Sequence, residues 1–220
     1  RRRATGPGAV GRPVGDPTHV PAPFLRFALA VTDMTAVFLS SEDVRGLAEP
    51  AAFVDAVREG YRQRGEGASA KPRTTLRNAD PPGMLFSYAA VLPETGAMGG
   101  YMYSAGFSEA DGWFVTPLFD AETGEPLAII DGARMNPFKT GAAGAVGVDA
   151  LAREDATTLA VIGSGAQARG QLRATATVRD FDTVRVYSQT PEHRESFADQ
   201  MDEYVDADVT AVRSSTDAVA

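Results

Sequence analysis

Thr158-Leu-Ala-Val-Ile-Gly-Ser-Gly-Ala-Gln-Ala-Arg169 is the stretch whose reading decides the fold. Leu159 to Gly163 form a short apolar run ending on a glycine, Gly163-Ser164-Gly165-Ala166-Gln167-Ala168 fits G-x-G-x-x-G/A, and a helix-favouring segment follows at Gln171. A buried strand, a glycine turn and a helix start together make a seat for a diphosphate. Gly163 permits the tight turn, Gly165 lets the backbone approach phosphate oxygens, and Ala168 is small enough for the helix to pack on the strand. The unpaired N–H groups and positive dipole end of that helix attract the anion. The same pattern also suits a tight β–α turn that binds no nucleotide.

Downstream the alternation of strand and helix continues. Thr183–Tyr187 reads as a second strand, Pro191 opens a helix ending near Tyr204, Val209–Val212 reads as a third strand, and Ser215 starts a further helix. The expected architecture is α/β, the first half of a parallel nucleotide-binding sheet, over residues 154–220. A complete sheet of this kind needs about three more strands, so the chain reads as part of a longer enzyme.

Upstream the pattern changes. Ala36–Leu39 reads as a strand, and Ser40-Ser-Glu-Asp43 as an S-x-x-D helix start. Phe53, Val57 and Tyr61 then repeat every four residues on a helix running to about Arg64. Five strands are expected at Arg73–Arg77, Met84–Val91, Gly100–Ala105, Trp113–Phe119 and Leu127–Ile130. Turn-forming segments separate them at Asp80–Gly83, Pro93–Gly96, Glu109–Gly112 and Asp120–Pro126. Strands in succession without helices are antiparallel, so residues 34–153 form an α+β unit distinct from the parallel one. Asn136-Pro137 reads as an N-cap and first helical residue, opening a helix to about Arg153. The run Gly141 to Ala145 suits close approach of a second helix or of a ligand. Residues 1–33 are rich in Gly and Pro and are read as an unstructured extension before a natural start at Met34.

Composition narrows the chemistry. The chain has 220 residues, no cysteine, and two histidines far apart, His19 and His193, so thiolate, disulfide and zinc chemistry find no support. A net charge of −8 argues against nucleic-acid binding. The apolar run Phe24–Val31 is too short to span a bilayer and is broken by Arg26, so a cytoplasmic protein is expected. Only two of the 21 basic residues are lysines, Lys71 and Lys139.

Several segments, in order, resemble the ornithine cyclodeaminase/mu-crystallin family: Asp120-x-x-Thr-Gly-Glu-Pro-Leu-Ala with Asp131-Gly, Lys139-Thr-Gly-Ala-Ala, Gly163-Ser-Gly-Ala-Gln-Ala, and Val186-Tyr-Ser-Gln-Thr-Pro-Glu-His193. The similarity spans roughly 34–220. It implies a Rossmann domain that binds NAD(P) and an N-terminal substrate domain whose sheet forms a homodimer. It further implies a small amino or imino acid substrate, with hydride transfer at the carbon beside its carboxylate. Ornithine cyclodeamination with loss of ammonia is the leading expectation. A ketimine reductase or alanine dehydrogenase with net redox turnover is the first alternative, and a non-catalytic NAD(P)-binding protein the second.

By family position Arg73 and Lys139 are the carboxylate-binding candidates; the family usually has arginine where Lys139 stands, and a lysine keeps the charge but loses the fork. Tyr101 falls where the family often has lysine; it is a further substrate-binding candidate or a core tyrosine. The cofactor-binding candidates are Gly163, Ser164, Gly165, Ala166, Gln167 and Ala168, with Ser188, Gln189 and Thr190 at the end of the second strand, and Thr140. No carboxylate stands at 188–190 to take ribose hydroxyls, and His193 and Arg194 follow, which favours NADP(H) over NAD(H). The family's acid/base residue is expected beyond Ala220.

Overall fold

A computed structural model describes residues 36–47, 49–107 and 112–220 of the protein. The expected extension over 1–33, the start at Met34 and most of the Glu109–Gly112 turn lie outside the described residues.

Strand β1 (Val37–Leu39) leads through a series of turns to helix α1 (Pro50–Gly65). Strands β2 (Ala70–Ala79), β3 (Pro82–Leu92), β4 (Ala97–Ala105), β5 (Trp113–Asp120) and β6 (Pro126–Asp131) follow. They form a six-stranded sheet in the order β1-β6-β5-β4-β3-β2. All neighbours are antiparallel except β1, which runs parallel to β6. Every expected strand is present, and most are longer than expected. Turn chemistry sets the ends: the Asp120 carboxylate accepts the backbone N–H groups of Glu122 and Thr123, both at 2.8 Å.

The start of α1 differs from expectation. The Ser40/Asp43 pairing does form, with the Ser40 N–H and hydroxyl donating to Asp43 at 2.9 and 2.6 Å. It closes turns rather than a helix, because Gly46 adopts φ +70°, a left-handed conformation that ends right-handed winding. The helix begins only where Pro50 supplies a fixed φ in its first turn. Its buried centre is Val54, with Phe53 and Val57 half-buried beside it, whereas Tyr61 is half-exposed. At its end the buried Gln63 amide donates to Thr95 Oγ1 at 2.7 Å and accepts the Glu94 N–H at 3.1 Å. That pins α1 over the β3–β4 connection.

Helix α2 (Asn136–Leu151) then leads from this sheet toward a parallel one. Asn136 is already helical and Met135 occupies the N-cap position without a side-chain cap, so the expected Asn136 cap is not formed. Strand β7 (Thr158–Ile162), helix α3 (Ala166–Thr175), strand β8 (Thr183–Tyr187), helix α4 (Pro191–Met201), strand β9 (Asp208–Ala211) and helix α5 (Ser215–Val219) complete the chain. The three strands pair in parallel in the order β7-β8-β9, so the expected parallel α/β pattern is present. Ser214 caps α5 by accepting the Asp217 N–H at 3.0 Å.

The described residues form two buried apolar clusters. Leu172, Val184, Val186, Phe197, Met201 and Val209 fill the space around the parallel strands. Val54, Ala142, Ala145 and Ala174 join α1, α2 and α3. Strand register divides the six-stranded sheet into two faces of opposite fate. Phe86, Tyr88, Tyr101, Tyr103 and Phe114 share the face that meets α2. Phe38, Leu76, Leu85, Met102, Trp113, Val115 and Ile129 share the other face and are all exposed. Among the described residues no helix is long and apolar enough to cross a membrane.

Candidate functional site

At the end of β7 the chain turns sharply at Gly163, whose φ of +115° an L side chain rarely adopts. Its N–H donates to the Tyr187 carbonyl at 2.7 Å, tying the turn to the end of β8. Gly165 is the extended N-cap of α3, and no atom lies within 4 Å of the point where a Cβ would stand. The first intrahelical bond runs from the Arg169 N–H to the Gly165 carbonyl at 3.2 Å. The N–H groups of Ala166, Gln167 and Ala168 therefore lack helical acceptors and open toward a cleft of about 720 Å³. Ala168 packs on the core beneath. Arg169 lies across the turn, bonded to the Ser164 carbonyl and to Gln200 Oε1, the latter at 2.9 Å, with its guanidinium over Phe197. No carboxylate lines this cleft among the described residues, so bare N–H groups and open space over a glycine fit a diphosphate without like-charge opposition.

The loop after β8 stands next to this turn. Ser188 donates its hydroxyl to the Thr190 carbonyl at 3.2 Å, while Gln189 and Thr190 are exposed. Arg194, from the first turn of α4, donates to the Ser188 carbonyl at 3.0 Å and lies 5.9 Å from the Tyr187 ring centre. His193 faces solvent.

The cationic candidates meet an aromatic platform. Lys139 Nζ donates to the Tyr88 hydroxyl at 2.9 Å and sits 4.1 Å from the Tyr101 ring centre. Tyr101 also packs against Tyr103 and Phe114, with ring centres 5.8 Å away in each case. Arg73, beside a register shift in the outer strand β2, donates to the Tyr103 hydroxyl at 3.0 Å and lies over Phe86. The structure thus links Arg73, Tyr101 and Lys139 through a cluster of packed rings. Tyr88, Tyr103, Phe86 and Phe114 were not singled out from the sequence, although Phe86-x-Tyr88 and Tyr101-x-Tyr103 carry the period-2 signal of a shared face.

Tyr101 is only 9% exposed, and its hydroxyl is sealed from solvent with no hydrogen-bond partner among the described residues. Burial pushes its phenol well above the usual range, so it stays neutral. It is the ring, rather than the hydroxyl, that addresses Lys139. Tyr88, Tyr101, Lys139 and Thr140 wall a second cavity, of about 580 Å³, which extends between α1 and the sheet past Val57, Leu92 and Leu118. Thr140 belongs to this cavity rather than to the cleft at the glycine turn. The described lining includes Arg64, Lys71 and Lys139 but no Asp or Glu.

Helix α2 walls both spaces: Asn136, Pro137, Gly144 and Val148 face the cleft, while Lys139, Thr140 and Ala143 face the cavity. Its small residues serve helix packing. A Cβ on Gly141 would stand 2.3 Å from the Gly170 carbonyl oxygen, and one on Gly170 would stand 2.4 Å from that of Pro137. The glycine-turn helix and the lysine-bearing helix are therefore in backbone contact.

The chain is similar to known proteins in sequence and fold. A Δ(1)-pyrroline-2-carboxylate reductase of Bacillus cereus is 40% identical over 89 residues, 40% of this chain and 27% of the reductase. An L-lysine cyclodeaminase of Streptomyces rapamycinicus is 40% identical over 79 residues, 36% of this chain and 23% of the cyclodeaminase. The Δ(1)-pyrroline-2-carboxylate reductase of Thermococcus litoralis, solved with NADH and L-proline, superposes with a TM-score of 0.73 at 27% identity, over 83% of this chain and 58% of that one. The chain thus matches less than two thirds of the length of these relatives. The profile of one family matches residues 34–220, nearly the whole sequence, and the chain belongs to the ornithine cyclodeaminase/mu-crystallin family.

Proposed function

We propose that the protein is an NAD(P)H-dependent oxidoreductase acting on a small amino or imino acid, with a cyclic imino acid such as Δ(1)-pyrroline-2-carboxylate as its first candidate substrate. One observation carries this reading: α2 presents Lys139 to an apolar, aromatic-floored cavity while its other side clamps the helix that opens at the glycine turn. Residues 34–153 supply the substrate side and 154–220 the nucleotide side. The N–H groups of Ala166–Ala168 would hold the diphosphate, and a bound nicotinamide would supply or accept the hydride.

The chain's own residues orient the substrate. The Lys139 ammonium has three donors, one used by Tyr88 and one facing the Tyr101 ring, which leaves one for a carboxylate. A single ammonium contact orients less strictly than a paired guanidinium. The aromatic walls exclude water, which strengthens that contact.

The cyclodeaminase reading keeps support from the similarity to the lysine cyclodeaminase. Against it, a diamino acid brings a second ammonium into a cavity whose described lining holds cations and no carboxylate. Full-length enzyme given the cyclic imine should oxidise NAD(P)H stoichiometrically, and Lys139→Met should raise KM for the imine. Ammonia release from ornithine or lysine without net change in NAD(P)H would establish the cyclodeaminase instead. We also propose that a second copy covers the exposed sheet face of Met102, Trp113, Val115 and Ile129, since large exposed apolar patches mark association surfaces. Val115→Asp should then shift the sedimentation coefficient from dimer to monomer.

A further inference from the structure

We infer that Arg194, at the mouth of the loop Ser188–Thr190, reads a 2′-phosphate on the cofactor's adenosine ribose, so that the protein discriminates in favour of NADP(H). The inference rests on the nucleotide reading of the glycine turn and goes beyond it by assigning cofactor choice to named groups.

In parallel sheets of this kind the end of the second strand meets the adenosine ribose, and an Asp or Glu there binds the free hydroxyls of NAD(H). The second strand here is β8, and Tyr187 at its end is held against the turn by the bond from the Gly163 N–H. The following residues are Ser188, Gln189 and Thr190, so the carboxylate that would favour NAD(H) and repel a 2′-phosphate is absent from the loop.

A cation takes its place. The Arg194 guanidinium is fixed by its bond to the Ser188 carbonyl at 3.0 Å and by the Tyr187 ring beside it. Anchored at one N–H, it keeps four others, and guanidinium geometry suits a phosphate's paired oxygens. Arg169 adds positive charge across the turn, but its guanidinium is already bonded to Ser164 and Gln200. The nearby acids Glu192 and Glu195 are exposed on α4, where solvent screens them.

The test is calorimetric titration of the full-length protein with 2′,5′-ADP and 5′-ADP, followed by NADPH and NADH, needing no turnover. The 2′-phosphorylated ligands should bind about tenfold to a hundredfold more tightly, the worth of one or two charge-assisted hydrogen bonds, and the margin should shrink with added salt. Arg194→Gln should bring the ratio close to one, and Ser188→Asp should reverse it. Equal affinities in the unmodified protein, or a ratio that survives Arg194→Gln, would overturn the assignment while leaving the nucleotide site intact. Failure of all four ligands to bind would overturn the nucleotide reading along with it.

Discussion

Replacing Gly141 with alanine should damage the protein, whereas the same change six residues later should help it. A Cβ on Gly141 would lie 2.3 Å from the Gly170 carbonyl oxygen, 2.5 Å from its carbon and 2.9 Å from the Gln171 nitrogen. Carbon needs about 3.5 Å for ordinary contact, so α2 and α3 would have to part by roughly 1 Å. The obstruction is backbone, which no rotamer change relieves. A backbone clash this close puts the overpacking cost at the upper end of its range, about 2–3 kcal/mol, and alanine's helix propensity returns about 1 kcal/mol. A net loss of about 1–2 kcal/mol would lower the melting temperature by roughly 2–8 °C. Gly147 lies in the same helix with nothing within 4 Å of its Cβ position. Gly147→Ala should therefore gain about 0.5–1 kcal/mol. Thermal and urea unfolding followed by circular dichroism would measure both. Because α2 carries Lys139 and α3 opens at the glycine turn, Gly141→Ala should also weaken nucleotide binding. If Gly141→Ala melted at or above the unmodified protein, the backbone contact between the helices would be wrong, and with it the claim that they form one rigid clamp.

Other outcomes follow from individual contacts. Tyr101→Phe removes a buried hydroxyl with no partner, whose desolvation costs about 1–3 kcal/mol; urea unfolding should show equal or greater stability. A clear loss there would mean that the hydroxyl is satisfied by water or substrate. Arg179 donates to the carbonyls of Arg153, Glu154 and Asp149 at 3.1, 3.2 and 3.4 Å, closing the chain beyond the end of α2. Arg179→Ala should cost about 1.5–3 kcal/mol, and Arg179→Lys should recover part of it. Acid should destabilise the fold. Arg62, then Gln63, hold Glu59 from the usual 4.5 down to about 2, and hydrogen bonds lower Asp43, Asp120 and Asp131 as well. A carboxyl whose folded value lies below its unfolded one stabilises above the unfolded value and loses that contribution as pH falls through the folded one. The urea midpoint should accordingly fall between about pH 4.5 and 2, and Glu59→Gln should flatten the fall.

Local chemistry made much of this architecture readable. The glycine turn, the period-2 strands and the separators at Asp80–Gly83, Pro93–Gly96 and Asp120–Pro126 each act within a few residues, and each formed as read. Ser40/Asp43 shows the limit of such reading: the capping bonds are local and did form, but whether a helix follows depends on Gly46, where the chain turns left-handed. The site depends on longer range still. Lys139 could be picked out as a rare lysine in a family-like segment, yet its setting comes from strands paired across the sheet, Tyr88 against Tyr101 and Phe86 against Tyr103. Period-2 alternation says only that such rings share a face; register decides which ring lies under the ammonium. In the same way the run of small residues in α2 announced a close approach without naming Gly170, 29 residues away, as what approaches. Register and helix crossing are set by the fit of whole elements, so a single sequence can nominate the cation and the glycine while leaving their partners to the folded chain.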